Sequence, residues 1–233
     1  MNNNQLPKIF VALDFGDEAT AKTFVKKLSP NLCGLKVGKE LFTTSGPSLI
    51  KWIHEKGFCT FLDLKFHDIP TTVKKACRAA ADLGVSILNV HALGGLKMME
   101  AAREGVNESD NNPFLVAVTI LTSHDEDSLK DIGIQGNLQQ TINKLAIDAA
   151  RAKLDGIVCS AQDIPLVKDT LPDNFIFITP GIRLNDEKDD QRRIMTPNDA
   201  IKNGASFLVI GRPVTLSDDP VKTLIKINDE INF

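Results

Sequence analysis

The segment formed by residues 61–70 places three charged side chains at a spacing that suits proton-transfer chemistry. Asp63 and Lys65 are two positions apart in an apolar run, and side chains two apart on a β-strand leave the same face. Asp68 follows three residues later, beside an Ile-Pro pair that ends the predicted strand. Alternating charges at a strand end favour an active site over a core position.

Polar residues also stand within or after the other apolar runs of the chain. These are Asp14, Lys36, Asn89, His91, Thr119, Thr122, Ser123, Ser160, Gln162, Arg183, Gly211 and Arg212. Lys36 adds a second positive charge to the acidic and basic residues of 61–70, and charges of opposite sign that are buried together can hold each other ionised. This half of the set predicts an ionised proton-transfer centre.

The other half of the set predicts an anion site. Arg212 follows Gly211, so a guanidinium fork lies beside a bare backbone N–H group. Arg183 stands two residues after Gly181 and offers a similar pair. A phosphate group is the anion that this combination suits, because arginine can bind two of its oxygens at once.

The same residues also allow purely structural interpretations. Asp63 and Lys65 alone could form a structural ion pair, and a single lysine at a strand end is usually a surface residue. The combination of four charges with two arginine loops favours a functional site. We interpret His67 and His91 as hydrogen-bonded structural residues, and residues 185–190 as either a solvated acidic loop or a mobile lid.

Eight short apolar runs, each continuous rather than alternating, predict buried parallel strands. They are residues 9–13, 33–37, 58–64, 86–90, 114–120, 156–159, 175–179 and 207–210. The intervening patterns predict helices over residues 17–28, 47–56, 71–83, 96–106, 138–153, 197–203 and 220–231. Pro47, Pro197 and Pro220 suit first helical turns, and Gly57 and Gly204 suit helix ends.

This alternation predicts an α/β fold, a TIM (β/α)8 barrel formed as a single domain by residues 1–233. A doubly wound open sheet is the alternative, but it usually has five or six strands, and no Gly-x-Gly-x-x-Gly pattern follows the first run. In a TIM barrel the site lies at the carboxyl ends of the strands, where the polar residues above are found.

The composition of the chain argues against several classes of protein. The net charge of −3 argues against a nucleic-acid-binding protein. The sequence has neither the apolar stretch of a signal peptide at its start nor a run long enough to span a membrane. The four cysteines are scattered without metal-ligand spacing, which predicts reduced thiols, a cytoplasmic location and no zinc site.

The chain resembles the orotidine 5'-phosphate decarboxylase family of the bacterial type along essentially its whole length. The Asp-x-Lys-x-x-Asp pattern of residues 63–68 carries most of the resemblance. The other matching stretches are residues 11–14, 35–40, 89–92, 121–123, 158–162, 179–183, 190–197 and 209–213. The order of these motifs along the chain makes the resemblance specific.

The resemblance implies a TIM-barrel homodimer that converts orotidine 5'-monophosphate into uridine 5'-monophosphate and CO2 without a metal or an organic cofactor. It implies that Lys65 donates the proton and that Asp63 lies beside the departing carboxylate. Lys36 and Asp68 complete the charged array, and Asp68 reaches in from the partner chain together with Thr72.

The resemblance also implies the substrate contacts. Asp14 and Lys36 bind the ribose hydroxyls, and Thr122 binds the base, with Ser123 as an alternative contact that the sequence does not separate from it. The residues that hold the phosphate or close over it are Arg183, Gln191, Gly211 and Arg212.

Two rival functions remain open at this point. One is a Mg²⁺-dependent sugar-phosphate decarboxylase or aldolase of the same suprafamily, in which a glutamate that supplies metal ligation stands where this chain has Lys36; a cation there would repel Mg²⁺. The other is a non-catalytic phosphate-binding barrel, which would need the arginine loops but not Lys36, Asp63 and Lys65 together.

Overall fold

A computed structural model of the chain describes residues 6–184 and 193–231. Eight parallel strands pair in sequence order, and the eighth strand also pairs with the first, so that the sheet closes into a barrel. The strands are β1 (Ile9–Ala12), β2 (Gly34–Gly38), β3 (Thr60–Phe66), β4 (Ile87–His91), β5 (Phe114–Val118), β6 (Gly156–Val158), β7 (Ile176–Thr179) and β8 (Phe207–Ile210). The predicted TIM-barrel fold is confirmed.

Helices connect the strands and surround the barrel. They are α1 (Glu18–Val25), α2 (Lys39–Ser45), α3 (Pro47–Glu55), α4 (Pro70–Asp82), α5 (Leu96–Asn107), α6 (Glu126–Asp131), α7 (Leu138–Arg151), α8 (Ile164–Val167), α9 (Pro197–Lys202), α10 (Arg212–Thr215) and α11 (Pro220–Ile231). Short 3-10 helices cover Ala92–Gly94 and Lys168–Thr170.

Two apolar layers stabilise this architecture. The inner layer fills the barrel, and Phe10 lies at its centre, edge-on to Phe61 at 6.2 Å and to Phe207 at 5.7 Å between ring centroids. The outer layer lies between the strands and the helices and contains the alternate strand residues, such as Val11 and Leu35. Strands buried on both faces explain why the apolar runs of the sequence are continuous.

Local sequence sets the helix ends as predicted. Pro47, Pro197 and Pro220 occupy the first positions of their helices, where the missing N–H group costs no intrahelical hydrogen bond. Gly57 and Gly204 follow helix ends with φ angles of 83° and 108°, a backbone conformation that glycine adopts without a steric penalty.

The observed elements differ from the predicted ones mainly in their ends and in four short helices. Each predicted strand overlaps an observed one, with ends displaced by at most two residues. Four helices of four to seven residues each were not predicted from the sequence: α2, α6, α8 and α10. The domain bounds of 1–233 stay a prediction, because residues 1–5, 185–192 and 232–233 lie outside the described part.

Within the described ranges, 6–184 and 193–231, every helix is too short or too polar to cross a lipid bilayer.

Candidate active site

A cavity of about 720 Å³ opens at the carboxyl ends of the strands, a volume that suits a small-molecule ligand. Every second residue of a strand faces the barrel interior, and the last inward-facing side chains reach the cavity. On β3, for example, Phe61 faces the interior and Asp63, two residues later, reaches the cavity. The predicted site residues that line it are Asp14, Lys36, Asp63, Lys65, Thr122, Ser123, Arg183, Gly211 and Arg212.

Four predicted residues, Asp14, Lys36, Asp63 and Lys65, form a chain of ion pairs in the cavity wall. The Lys36 ammonium lies 3.3 Å from Asp14 Oδ1 and 3.3 Å from Asp63 Oδ2. The Lys65 ammonium lies 2.6 Å from Asp63 Oδ1. The Asp63 carboxylate is therefore held between two ammonium groups. Its side chain and that of Lys36 are only 12% and 10% exposed, so water screens these pairs weakly.

The electrostatics of the cavity keep Asp63 ionised. Burial by itself would raise the pKa of its carboxyl group. The charges of Lys36 and Lys65, with hydrogen bonds from Lys65 and Asn89, outweigh burial and hold that pKa below its usual value. The cavity wall thus presents a fixed negative charge between two positive charges at neutral pH.

Asn89 was predicted at a strand end without a role in the site, but its position in the structure is central. Its amide nitrogen donates to Asp63 Oδ1 at 2.7 Å, and its amide oxygen accepts from the Lys65 backbone N–H at 2.8 Å. The side chain is fully buried. A polar residue in the middle of a mainly apolar strand, next to a strand that carries charges, is the sequence signal that could have identified it.

Asp68 and Thr72 lie outside the lining of this cavity in the single chain. Both residues are exposed, and the Asp68 carboxylate accepts a hydrogen bond from the backbone N–H of Ile69 at 2.7 Å. Ile69, between Asp68 and Pro70, is itself 66% exposed. The structure therefore brings together three of the four predicted charged residues within one chain.

Two arginines mark the opposite side of the cavity mouth. Arg183 follows β7, and its guanidinium donates to the carbonyl oxygen of Ile182 at 2.9 Å. Arg212 follows β8 directly after Gly211 and is exposed. Thr122 is buried and Ser123 is exposed, and both line the cavity, so either side chain can reach a ligand. The predicted phosphate contact Gln191 lies outside the described residues.

A buried ion pair outside the cavity lining was not predicted from the sequence either. Arg193 Nη1 lies 2.8 Å from both carboxylate oxygens of Asp163, which also accepts from the Ser160 backbone N–H at 3.1 Å. The two side chains are 12% and 9% exposed. This contact ties the chain just before α9 to the loop after β6. It lies between residues 30 apart in sequence, so no local pattern could have indicated it.

His67 and His91 stack beside the charged residues, with 5.7 Å between ring centroids and 27° between ring planes. Burial, with smaller electrostatic effects of the neighbouring His67 and Lys65, lowers the pKa of His91 to about 4. His91 is therefore neutral at pH 7. It cannot act as a proton donor there, in agreement with its interpretation as a structural residue.

Together these groups can act on an anionic substrate in two ways. The arginines can bind an anion at one side of the cavity, which orients a ligand across the barrel mouth. Lys65 can stabilise negative charge and donate a proton at the other side, because its ammonium lies at the cavity surface.

Comparisons with known proteins agree with this geometry. Residues 7–227 match the family described as "Orotidine 5'-phosphate decarboxylase / HUMPS family". The orotidine 5'-phosphate decarboxylase of Nitrosococcus oceani is 50% identical over 226 residues, which cover 97% of each chain. That of Nitrosomonas eutropha is 52% identical over 225 residues and 96% of each chain. The crystal structure of the Lactobacillus acidophilus orotidine 5'-phosphate decarboxylase superposes with a TM-score of 0.88 at 35% identity, covering 98% of this chain and 100% of that one.

Proposed function

Because the chain belongs to the orotidine 5'-phosphate decarboxylase / HUMPS family, we propose that its charged cavity carries out the reaction for which its relatives are named. The chain is a decarboxylase of pyrimidine biosynthesis that converts orotidine 5'-monophosphate into uridine 5'-monophosphate and CO2. The single observation that supports the site assignment is the Lys36–Asp63–Lys65 cluster, buried in the wall of a ligand-sized cavity.

Lys65 is the central group in the proposed mechanism. Loss of CO2 from the pyrimidine ring leaves an electron pair on carbon C6, and without a cofactor there is no electron sink to accept it. The barrier then falls through preorganised charge, because an ammonium group that is already in place stabilises the carbanion without reorganising. Lys65 afterwards transfers its proton to C6, which completes uridine 5'-monophosphate.

Asp63 has two roles in this proposal. Its carboxylate fixes both ammonium groups at distances of 2.6 and 3.3 Å, so that their charges do not move during the reaction. It also stands beside the substrate carboxylate, a repulsive contact that the loss of CO2 relieves. The preorganised ammonium of Lys65 carries more of the rate enhancement than this repulsion does.

The phosphate end supplies binding energy that is remote from the reacting carbon. Arg183 and Arg212, with Gly211 and Gln191, hold the 5'-phosphate or close over it in this proposal. Asp14 and Lys36 bind the ribose, and Thr122 or Ser123 binds the base. Contacts remote from C6 lower the barrier when they fix the ring against Lys65, so their loss reduces kcat as well as affinity.

The proposal includes a homodimer in which Asp68 and Thr72 act across the interface. Its support is their exposure in the loop and first helical turn that directly follow β3, next to the exposed apolar side chain of Ile69. A second copy of the chain would cover Ile69 and bring a fourth charge to the site. A cytoplasmic location is also proposed, and the four free cysteines support it.

The Mg²⁺-dependent rival is disfavoured by the position of Lys36. Its ammonium lies between the carboxylates of Asp14 and Asp63, where a divalent cation would need to bind. We expect CO2 release from orotidine 5'-monophosphate to continue at an unchanged rate in excess EDTA. A loss of activity that Mg²⁺ restores would favour the rival.

The substitution Lys65→Ala tests the catalytic assignment. We expect turnover to fall by at least about 10⁴-fold, since both charge stabilisation and proton donation are lost. The variant should still bind uridine 5'-monophosphate, as measured by calorimetry. Lys51→Ala, at an exposed position on α3, is the matched control and should be fully active. Substantial activity in the Lys65 variant would overturn the assignment.

A further inference from the structure

The pairing of β3 with β4 is irregular at the catalytic residues. Leu62 pairs with Leu88, and the next pair is Phe66 with Val90. Three residues of β3 therefore stand opposite Asn89 alone, where a regular parallel ladder would place one. The two catalytic side chains, at positions 63 and 65, lie within this bulge.

The backbone of Lys65 shows the consequence of the bulge. Its φ angle is 51°, in the left-handed region that residues other than glycine rarely adopt. A lysine with this backbone needs a partner that compensates for the strain. The Asn89 side chain supplies it, because its amide oxygen accepts the Lys65 backbone N–H at 2.8 Å in place of a backbone carbonyl.

The same side chain also fixes the catalytic carboxylate. Asn89 Nδ2 donates to Asp63 Oδ1 at 2.7 Å, the oxygen that also accepts from the Lys65 ammonium at 2.6 Å. One fully buried amide thus contacts the backbone at one end of the Lys65–Asp63 ion pair and the carboxylate at its other end.

We propose that Asn89 is a positioning residue for this reaction: it holds the strained backbone of Lys65 and the carboxylate of Asp63 in the one arrangement that directs the Lys65 ammonium into the cavity. This inference rests on the proposed roles of Lys65 and Asp63. It extends them to a residue that does not itself line the cavity and acts through two residues that do.

Chemistry explains why an amide is needed at this position. The site requires an acceptor toward the Lys65 N–H and a donor toward a carboxylate that is ionised. An aspartate offers the acceptor, but when ionised it repels Asp63, and a leucine of similar size offers neither group. Asparagine has both groups on one short and rigid side chain.

The test compares Asn89→Ala and Asn89→Asp with the wild-type enzyme. Both variants should lose about 100-fold in kcat, as expected when a reacting group is displaced by about 1 Å. The KM for orotidine 5'-monophosphate and the affinity for uridine 5'-monophosphate should change by less than about threefold, since the phosphate and ribose contacts are intact. Asn228→Ala is the matched control, because Asn228 makes two hydrogen bonds to backbone carbonyl groups far from the site.

A second measurement separates positioning from simple loss of stability. Asn89 donation lowers the pKa of Asp63, so its removal should move the acid limb of the kcat–pH profile to higher pH, most strongly in Asn89→Asp. Asn228→Ala should lower the melting temperature while leaving kcat and the pH profile unchanged.

Three results would overturn the proposal. One is a folded Asn89→Ala enzyme with kcat within about twofold of wild type and an unchanged acid limb. Another is a fall in kcat matched by an equal rise in KM, since that indicates general damage to the site. The third is failure of both variants to fold, which would assign Asn89 to the fold alone. Lys65→Ala keeps the outcomes separate: if it retains activity, the proposed function itself fails, whatever Asn89 does.

Discussion

At the cavity wall, Asp63 accepts hydrogen bonds from Lys65 and Asn89 and forms a further ion pair with Lys36. Asp14 forms one ion pair with the same Lys36 ammonium, but its side chain is 68% exposed. Solvent therefore screens the Lys36–Asp14 pair far more than the Lys36–Asp63 pair. Asp14 and Asp63 lie at the same 3.3 Å distance from the Lys36 ammonium, but they should contribute very different amounts to the free energy of unfolding. This difference can be measured.

The substitution Asp63→Asn tests the buried carboxylate. We expect it to reduce the free energy of unfolding by about 3–5 kcal/mol, because Lys36 and Lys65 lose their shared counter-charge in a poorly hydrated site. Activity should also fall strongly. Asp14→Asn is the matched control, and its exposed pair should contribute less than about 1 kcal/mol. Urea unfolding at pH 7 measures both values, and equal losses would contradict the argument.

The neutral state of His91 predicts a pH-dependent stability. Its pKa is about 4 in the folded chain against 6.5 for an unperturbed histidine, so the unfolded chain binds more protons between these values. The contribution of neutral His91 to the free energy of unfolding is fully present above pH 6.5 and is lost as the pH falls toward 4. Because proton binding and unfolding are coupled, this shift can reduce the free energy of unfolding by at most about 2 kcal/mol near pH 5.

His91→Asn removes the titrating group and should flatten this part of the stability profile. Urea unfolding of both proteins near pH 7 and pH 5 gives the comparison, and only the wild type should lose stability from this source. If both proteins lost the same free energy over that interval, His91 would not be the cause.

At the scale of elements, the sequence predicted what depends on burial and missed what depends on contacts between distant residues. The eight strands were predicted because each is buried on both faces and so reads as an unbroken apolar run. The helix α6 was missed because its capping box pairs Asp125 with Ser128 instead of the more common glutamate. The left-handed backbone of Lys65 was missed because it depends on Asn89, 24 residues away.

In the charged site, too, the sequence predicted the contact that depends on local spacing and missed the contacts between distant residues. Regular alternation on β3 indicated that Asp63 and Lys65 would meet, and their 2.6 Å contact agrees with it. Alternation could not show that the strand bulges between them, nor that a buried amide completes the contact. The Arg193–Asp163 pair depends likewise on how two loops pack, which no spacing in the sequence encodes.

Packing between α4 and α5 gives a prediction at this scale. A Cβ atom added to Gly105 of α5 would lie 2.1 Å from the backbone oxygen of Lys74 in α4, so the two helices approach too closely for any side chain. Gly105→Ala should therefore reduce the free energy of unfolding by roughly 1–3 kcal/mol. An exposed helical site would instead gain about 1 kcal/mol from the same change.

Ala79→Gly, at an exposed position of α4, is the control for helix propensity and should cost about 1 kcal/mol. Thermal unfolding of both variants gives the comparison. Because Thr72 lies in the first turn of α4, displacement of that helix should also reduce turnover in Gly105→Ala. A stabilised and fully active Gly105→Ala enzyme would show that the helices can separate at little cost.

In the whole molecule, the residues that stabilise the barrel and the residues proposed to react with the substrate lie in different regions. The barrel interior is filled by phenylalanine and aliphatic side chains, and the charged groups of the cavity stand where the inward-facing alternation reaches the carboxyl ends of the strands. Within the described chain, Asp68 and Thr72 remain outside this cavity and exposed. If the proposed homodimer forms, each site combines Lys65 of one subunit with Asp68 of the other.

Mixing two inactive variants tests this shared site. Lys65→Ala and Asp68→Ala homodimers should each be nearly inactive, because every site lacks one charged group. In a mixed dimer, one site lacks both groups and the other has both, since its Lys65 and Asp68 come from different chains. Random exchange of subunits makes half of the dimers mixed, so activity should rise to roughly a quarter of the wild-type value. Coexpression of the two variants, followed by a CO2-release assay, measures this rise. If the site lay within one chain, every mixed dimer would contain two defective sites, and the activity would stay at the level of the separate variants.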